Sequence, residues 1–564
     1  MTTINKRAKT LFFTTSPRSP MKMVPEIKLL VENFSGEQWN PELQKRYMGL
    51  LFEQDFFEGV SYPKDPAFSA RDRITRSPKA LGFVNLEPQI ELTPAGRELV
   101  YGAMPSEALL RQLMKFQLPS PYHKLSSGSD QDFLVRPYLE ILRLIRNFGC
   151  LTRDELMLFG MQLTNYSKFD EIVEKIESFR RGKAMNKGKY KKFLAAETER
   201  VIREIYADEI VSGDISVRES SGTSLKSFLR TKKHNLSDYT DACFRYLRAT
   251  EVVTIAQRGH SLSIAQGKLD EVDHLLITVP REPLFVDDGV KYKEYLFNAE
   301  TPMLITDEPQ VLVEQIQDMD PDATVDGLSK IQLKTVALEL RRKNKEKKLT
   351  AEISQIKSGD RYQEIQTLFD DIVKSDEDIY DRPLMFEWNT WRAMTMIDGG
   401  NISPNFKLDE NCDALSTAPG NKADIVCNYE DFDLAVEVTL QAGQKQYDNE
   451  GEPVARHLGK IKESSGRDAF CLFIAPKISE ASIAHFYALH RVNIRAYGGK
   501  AVIVPMELSV YRKMLEDSYK ATYTPSSENI RSIFERSIEI AASAEDEIDW
   551  YNQIRDFVLN WLAA

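Results

Sequence analysis

The sequence is poor in cysteine and lacks any long apolar run, and each of these absences excludes a class of protein. The cysteines stand singly, without a Cys-x-x-Cys pair, which excludes a disulfide scaffold and a cysteine zinc site and fits reduced thiols. The N-terminal apolar run ends at Phe13, too short for a signal peptide, and nowhere do about 18 apolar residues run together. We therefore expect a soluble, cytoplasmic protein without a membrane segment. The five cysteines are Cys150, Cys243, Cys412, Cys427 and Cys471.

Positive charge is in deficit over the chain as a whole, but the deficit is confined to one part of it. The formal net charge is −11 at pH 7, which taken alone argues against a nucleic-acid partner. Residues 1–265 nevertheless carry 40 Lys and Arg against 32 Asp and Glu, whereas the remaining residues carry 34 against 53. This asymmetry predicts an N-terminal part that contacts a polyanion and a C-terminal part that gathers carboxylates for another purpose. The alternative is uneven surface charge without function.

A basic helix followed by a small hairpin is predicted twice in the N-terminal part. Residues 70–100, ARDRITRSPKALGFVNLEPQIELTPAGRELV, indicate helix, strand, turn, strand and helix, with helix starts at Ser77-Pro78 and Thr93-Pro94. Residues 241–267 begin with the same order of basic helix and two strands. A winged helix-turn-helix has this order, and its helix enters the major groove while the wing lies on the DNA backbone. An ordinary α+β core with arginines on its wet face is the alternative.

Basic side chains in these two patterns and in nearby segments are the candidate DNA contacts. The segment 180–192, RRGKAMNKGKYKK, is interpreted as a cationic loop suited to phosphates rather than base edges. The candidate DNA-binding residues are Arg18, Arg71, Arg73, Arg76, Lys79, Lys124, Arg245, Arg248 and Arg258.

The length of 564 residues predicts three or four compact units of a multidomain α+β protein. Residues 1–270 are expected to form a DNA-recognition region with two winged-helix-like subdomains, divided near residue 135. Long amphipathic helical patterns over 271–376 predict a helical linker. Residues 377–564 alternate helix and strand, which predicts an α/β nuclease core of the PD-(D/E)xK type.

An acidic hairpin is the most informative stretch of the C-terminal part. In ADIVCNYEDFDLAVEVTLQ, residues 423–441, two apolar runs flank an acidic turn, and Glu437 sits between two valines. Pairing of the two strands would bring Asp424 and Glu437 to one divalent ion, which compensates the burial of Glu437. Two carboxylates and the backbone carbonyl of Val438 are oxygen ligands of the kind that Mg²⁺ prefers.

The residue two positions after Glu437 departs from the PD-(D/E)xK motif, because Thr439 stands where that motif has a lysine. Lys445 and His457 are the candidates to replace that lysine, the latter as a proton exchanger near neutral pH. Glu387 and Glu452 could extend the acidic cluster. The structural alternatives are a helix-surface acid for Glu387, a loop acid for Glu452 and a hydrogen-bonded structural role for His457.

Several motifs, in this order, resemble the AlwI family of type IIS restriction endonucleases, which includes related site-specific nicking endonucleases. The motifs are SPRSP, AFSARDR, LTPAGRELV, FEWNTW, GNKADI, YEDF, VEVT and EPVARH. The resemblance implies helix-turn-helix-like recognition subdomains, a helical linker and a PD-(D/E)xK-type cleavage domain that uses Mg²⁺. It makes Asp424 and Glu437 metal ligands, places Glu387, Glu452 and His457 around them, and includes the threonine in place of lysine.

The resulting hypothesis is a type IIS restriction endonuclease that binds a short asymmetric site in double-stranded DNA and hydrolyses phosphodiester bonds a few base pairs outside it. The resemblance is nearest to members that read GAGTC, with readers of GGATC as the competing choice, and it implies a companion DNA methyltransferase. One metal centre per chain predicts a monomer whose cleavage domains pair transiently on DNA. A strand-specific nicking endonuclease is the first alternative, and a non-catalytic site-specific DNA-binding regulator is the second.

Overall fold

The structure is a computed structural model that describes residues 2–4, 8–54, 56–57, 61–125, 132–215, 224–256, 259, 261–374, 379, 381–397, 401–409 and 411–562. It is a mixed helix and sheet fold that divides into two compact units, residues 1–344 and 345–564. None of the described helices is long and apolar enough to cross a membrane.

Helices of the first unit often begin at a polar cap followed by proline, because proline fixes φ near its helical value and the first helical N–H needs no partner. Asn40, Asp65 and Thr93 each cap such a helix. The helices are α1 (Met23–Phe34), α2 (Pro41–Phe52), α3 (Pro66–Thr75), α4 (Ser77–Ala80), α5 (Pro94–Tyr101), α6 (Pro105–Lys115), α7 (Pro137–Phe148), α8 (Arg153–Leu158), α9 (Phe169–Met185), α10 (Tyr190–Ile205), α11 (Ala207–Ser212), α12 (Leu225–Arg248), α13 (Leu269–Thr278), α14 (Gly289–Phe297), α15 (Pro309–Met319) and α16 (Lys330–Lys357), the last of which ends in the second unit.

In the part of the first unit that the structure describes, the strands form three small sheets. A parallel pair, a two-stranded antiparallel hairpin (β2 and β3) and a three-stranded antiparallel sheet of order β5-β7-β6 are present. The strands are β1 (Thr2–Ile4), β2 (Val84–Asn85), β3 (Glu91–Leu92), β4 (His123–Leu125), β5 (Cys150–Thr152), β6 (Val253–Ala256) and β7 (Ser261–Ile264).

Both predicted patterns of a basic helix followed by a hairpin are present. α3 and α4 precede the β2–β3 hairpin and α5, and α12 precedes the β6–β7 hairpin. Thr93 caps α5 as predicted, accepting a hydrogen bond from the backbone N–H of Gly96 at 2.9 Å. The predicted cap at Ser77 is wrong, because Ser77 is the first residue of α4 and its hydroxyl donates to the carbonyl of Ser16 at 2.6 Å.

The segment predicted to be a helical spacer is helical, but much of it packs as part of the first unit. Leu312 and Ile316 of α15 and Leu333 and Ala337 of α16 form one apolar cluster with Met104. Ion pairs join the same elements, since Lys334 lies 2.8 Å from Glu107 and Arg111 lies 2.8 Å from Asp307. This burial explains why the division between the two units falls within α16.

The basic segment 180–192 is not the loop that its glycines suggested. α9 extends to Met185 and α10 begins at Tyr190, so only 186–189 form the turn of a helical hairpin, with Gly188 at φ +81°. Arginine and lysine favour helices, and the left-handed conformation of Gly188 in the turn is one that favours glycine.

The second unit contains a mixed five-stranded sheet of order β14-β13-β12-β11-β8. β12 is central, antiparallel to β11 and parallel to β13. Its strands are β8 (Asn401–Pro404), β11 (Ile425–Asn428), β12 (Phe432–Val438), β13 (Asp468–Ala475) and β14 (Ile503–Glu507), and β9 (Lys407–Leu408) and β10 (Ala414–Ser416) form a separate pair. Its helices are α17 (Tyr362–Lys374), α18 (Arg382–Ile397), α19 (Gln444–Ser465), α20 (Glu480–Arg491), α21 (Leu508–Lys520), α22 (Ser527–Ser543) and α23 (Glu547–Val558).

Helix α19 is the element that sequence patterns missed. Its first turns are polar, and Pro453 lies inside the helix, so the sequence pattern of this segment is typical of a loop. Gly443, at φ +61°, makes the turn that lets the chain enter α19 soon after β12. The buried Gln446 then fixes the start of the helix, because its side-chain amide donates to the carbonyls of Gln441 and Lys477 at 2.9 Å.

Candidate active site

The hairpin of β11 and β12 brings Asp424 and Glu437 to the same face of the sheet. In its register Ile425 lies opposite Val436, so one step further Asp424 lies opposite Glu437. Directly opposed side chains of antiparallel strands have Cβ atoms about 4.5–5.5 Å apart and project to the same side. The carboxylate of Asp424 also accepts a hydrogen bond from the backbone N–H of Val438 at 2.8 Å, which fixes its orientation. The two acids are therefore positioned to act together.

Two further carboxylates surround this pair, one from α18 and one from α19. Glu387 is buried and accepts a hydrogen bond from the backbone N–H of Ala418 at 2.9 Å. Glu450 is partly exposed and accepts a hydrogen bond from the Thr439 hydroxyl at 2.9 Å. We call Glu387, Asp424, Glu437 and Glu450 the acidic cluster.

The acidic cluster is electrostatically unfavourable without a counter-charge. Burial, followed by the charge of Asp424, raises the pKa of Glu387 well above its ordinary value. Burial and then the charge of Glu437 raise the pKa of Asp424, and burial and then the charge of Glu450 raise that of Glu437. Burial also raises the pKa of Glu450. These acids repel one another when ionised, so the site favours either protons or a bound cation.

His457 completes the site from α19. Its Nδ1 lies 2.7 Å from Oε1 of Glu437, and its Nε2 lies 3.3 Å from the carbonyl of Gly420. Burial lowers the pKa of His457 to about 4, so the ring is neutral near pH 7. The carbonyl can only accept, so Nε2 carries the ring proton and Nδ1 accepts from a protonated Glu437. The His457 ring therefore holds the protonated carboxyl of Glu437 in place.

The helical phase of α19 decides which acids of that segment join the site. Glu450 and His457 are seven residues apart, which is about two turns, so both lie on one face of the helix. Glu452, two residues after Glu450, is turned away by about 200°. It is exposed and forms an ion pair with Arg456 at 3.2 Å. The structure thus places Glu450, and not the predicted Glu452, among the clustered carboxylates, and the seven-residue spacing is the signal that sequence reasoning overlooked.

The position usually occupied by lysine is filled by a buried threonine. Thr439 donates to Glu450 and accepts a hydrogen bond from the backbone N–H of Gln441 at 3.1 Å, so its hydroxyl is fully engaged. Lys445, one candidate to replace the lysine, is exposed on α19. His457, the other candidate, contacts Glu437 directly.

The donor set fits a hard divalent cation. Within the described residues, no group of three or more His, Cys, Asp and Glu side chains is arranged to hold a metal ion by itself. Mg²⁺ needs fewer protein ligands, because it keeps several waters and binds through one or two carboxylates. Asp424, Glu437 and the carbonyl of Val438 supply oxygen donors only, and the raised pKa values of the two acids show that a positive charge would stabilise their ionised forms.

The predicted DNA-binding residues of the first hairpin pattern differ in accessibility. Arg18 and Arg71 are exposed. Arg76 is also exposed and forms an ion pair with Asp72 at 2.5 Å, whereas Arg73 is paired with the buried Glu26. In the same region, Lys79 forms an ion pair with Glu87 at 2.8 Å.

The remaining predicted contacts include one that the structure excludes from the surface. Lys124 is exposed on β4, and Arg245 is partly exposed on α12. Arg248, also on α12, is only 1 % exposed. Its expected contact with DNA is therefore wrong for this structure, because the packing of the α12 end encloses its guanidinium. Arg258 lies outside the described residues.

Two of three comparisons with known proteins find a match. A model of the AlwI restriction endonuclease family matches residues 79–514, a range that includes the whole acidic cluster and His457. Among solved structures, the small subunit of the heterodimeric restriction endonuclease R.BspD6I shares 23 % identity at a TM-score of 0.27, over 36 % of this chain and 94 % of that subunit. A search of curated proteins finds no match.

Proposed function

The chain belongs to the AlwI restriction endonuclease family, so it is a site-specific nuclease of DNA, and from this premise we propose that it is a Mg²⁺-dependent type IIS restriction endonuclease. It would bind a short asymmetric site, with GAGTC favoured over GGATC, and hydrolyse phosphodiester bonds a few base pairs outside that site. The observation that carries this proposal is the acidic cluster, in which Asp424 and Glu437 face each other across one hairpin.

The residues of the site have distinct proposed roles in phosphodiester hydrolysis. Asp424, Glu437 and the carbonyl of Val438 would hold Mg²⁺, which when bound lowers the pKa of water and neutralises charge that develops on the phosphate. Thr439 orients Glu450 through its hydroxyl, and Glu450 keeps a further carboxylate at the edge of the site. His457 accepts a hydrogen bond from the protonated Glu437 and so positions that carboxyl. This arrangement supports a role for His457, rather than Lys445, in place of the motif lysine.

Recognition of the site is assigned to the first unit. Its elements α7, β5, α8, α12, β6 and β7 comprise a helix, a strand, two helices and a hairpin, with α9, α10 and α11 inserted between α8 and α12. The pairing of β5 with the hairpin supports a winged-helix subdomain. The α3–α4 pair and the β2–β3 hairpin support a second one. Arg18 and Arg71, which are exposed, are better candidates for DNA contact than the paired Arg73.

Partners follow from the proposed activity. One metal centre per chain cuts one strand, so we propose that two cleavage units pair transiently on DNA while the free protein is monomeric. A companion DNA methyltransferase would protect the host sequence. The acidic surface of the C-terminal part disfavours indiscriminate DNA contact, which makes cleavage depend on the recognition unit.

Plasmid cleavage tests the proposed function. Purified protein with Mg²⁺ should convert supercoiled plasmid to discrete linear fragments, whose mapped ends should lie at a constant distance from one short sequence. Accumulation of open circles alone would indicate a nicking endonuclease, which the single metal centre per chain also allows. Specific binding without any Mg²⁺-dependent hydrolysis would refute the nuclease and favour a non-catalytic regulator.

Two neighbouring acids of α19 give a matched test of the site. Glu450→Gln is expected to lower the cleavage rate by about 10–100-fold, the range for groups that orient metal ligands. Glu452→Gln, which changes charge by the same amount two residues away on the exposed face, should leave the rate within about twofold, since surface changes have small effects. Cleavage rates at saturating DNA and Mg²⁺ distinguish them, and equal rates for both variants would remove Glu450 from the site.

A further inference from the structure

The tip of the α9–α10 hairpin concentrates positive charge that the proposed active site and winged helices do not use. Seven basic residues and no acidic residue lie between Glu177 and Glu197. Resting on the proposed function, we propose that this tip binds the phosphate backbone of DNA independently of base sequence. We call Lys187, Lys189 and Lys192 the lysine tip.

Charge on this hairpin is neutralised along its stem but not at its tip. In the stem, cations pair with glutamates three or four residues away. The tip differs, because Lys187, Lys189 and Lys192 are exposed and form no ion pair with any described residue. The stem pairs are Lys175–Glu171, Arg181–Glu177, Arg200–Glu197, Arg200–Glu204 and Arg203–Glu199.

The base of the hairpin is fixed to its unit, so the tip is held in place. Arg180 donates two hydrogen bonds to the buried Glu155 of α8 and a third to the carbonyl of Cys150 at 2.8 Å. The Tyr190 hydroxyl, at the start of α10, donates to Asp154 at 2.6 Å. Such anchoring reduces the entropy lost when a charged segment is ordered on a ligand.

Aromatic packing between the two helices adds to this rigidity. The rings of Phe179 and Phe193 lie 5.4 Å apart, and Phe179 also packs at 5.4 Å against Phe159. The hairpin therefore has its own small apolar core, and its turn residues are free to carry charge instead of packing.

The chemistry of the tip favours phosphates over base edges. Lysine is a flexible point charge without the planar fork by which arginine reads guanine, so lysine contacts give affinity without sequence information. α8, which anchors the hairpin, and β5, whose Cys150 accepts from Arg180, belong to the subdomain proposed to be a winged helix. A duplex bound by that subdomain is the polyanion that the hairpin would meet.

The salt dependence of DNA binding tests the lysine tip. The triple variant Lys187→Gln, Lys189→Gln and Lys192→Gln should bind DNA with a shallower dependence on salt. Each lost phosphate contact removes about 0.9 from the slope of log K against log salt, so the slope should fall by about 2.7. The affinity that wild type loses between about 50 and 200 mM salt should then be about 40-fold larger than the affinity that the variant loses.

Two duplexes of equal length, measured in EDTA by fluorescence anisotropy, separate backbone contact from base contact. One carries the site mapped from wild-type cleavage, and the other has that site scrambled. If the lysine tip contacts only phosphates, the tip variant should show the same fall in the salt slope on both duplexes. The ratio of its affinities for the two duplexes should equal that of wild type. A changed ratio with an unchanged slope would mean base reading and would overturn the proposal.

A stem variant with the same loss of charge serves as the control. Lys175→Gln, Arg200→Gln and Arg203→Gln remove three cations that are already paired, so the slope should stay near that of wild type. Equal falls in slope for both variants would reveal a net-charge effect and overturn the proposal, as would an unchanged slope for the tip variant. Thermal melts verify that each variant is folded. If wild type cuts no DNA, the proposed function fails, and the scrambled duplex still tests the tip because its contact does not depend on sequence.

Discussion

Asp424→Asn is expected to abolish DNA cleavage while leaving specific DNA binding intact. The asparagine side chain retains an oxygen to accept the N–H of Val438, so the hairpin keeps its geometry. It loses the negative charge that faces Glu437, and with it one of the two carboxylates proposed to hold Mg²⁺. Removing one oriented group from an oxyanion site already costs about 10²–10³ in rate, and loss of a metal ligand should cost at least as much.

Cleavage and binding must be measured separately to test this expectation. The rate is measured with Mg²⁺ on plasmid, and binding is measured in EDTA on a duplex that carries the mapped site. Asp448→Asn, an exposed acid of α19, removes the same charge outside the cluster and should retain the wild-type rate. Cleavage that survives in the Asp424 variant would remove Asp424 from the proposed metal site, and lost binding would show a structural role instead.

Stability of the metal-free protein is expected to fall as pH rises and to be restored by Mg²⁺. The folded-state pKa values of the acidic cluster lie above their ordinary values of 3.8 for Asp and 4.5 for Glu. A raised carboxyl pKa means that the folded state holds protons that the unfolded state has released. The stability that these bound protons contribute to the folded state is therefore fully present below the ordinary carboxyl pKa. It is lost as pH rises through the raised folded-state pKa.

His457 titrates in the opposite sense, and this sets the pH range over which melting temperatures can be compared. Its pKa is lowered to about 4 from 6.5, so its contribution is lost as pH falls below 6.5. Melting temperatures in EDTA should therefore be compared above pH 6.5, where the histidine is neutral in both states. In that range, a melting temperature that falls as pH rises indicates carboxyl groups that are still protonated in the folded state.

Mg²⁺ should add stability by binding only the folded site. A free concentration 100 times the dissociation constant contributes about 2.7 kcal/mol, which for a unit of this size raises the melting temperature by about 5–10 °C. Asp424→Asn should instead raise the metal-free melting temperature at neutral pH, reduce its decline with pH and remove the Mg²⁺ increment. A wild-type melting temperature that is independent of both pH and Mg²⁺ would contradict the idea that the cluster awaits a cation.

The parts of this protein that could be predicted are those encoded by neighbouring residues. Two apolar runs around an acidic turn located the hairpin of β11 and β12, and the observed register opposes Asp424 to Glu437. Thr93-Pro94 marked a helix start for the same reason, since a cap acts within one turn. Local signals failed at Pro453, where a loop was expected inside α19, because packing of that helix beside the sheet outweighs the cost of an internal proline.

Sequence by itself thus determined the hairpin with its two facing acids, the helical character of the predicted spacer and the uneven distribution of charge, because apolar runs, turn residues and charge are properties of neighbouring residues. Tertiary structure alone decided that Glu450 and not Glu452 joins the cluster, that Arg248 is enclosed, and that spacer helices pack into the first unit. The physical reason is that burial, and the formation of α19 despite its internal proline, depend on contacts between segments far apart in the chain, which the residues of one segment do not specify.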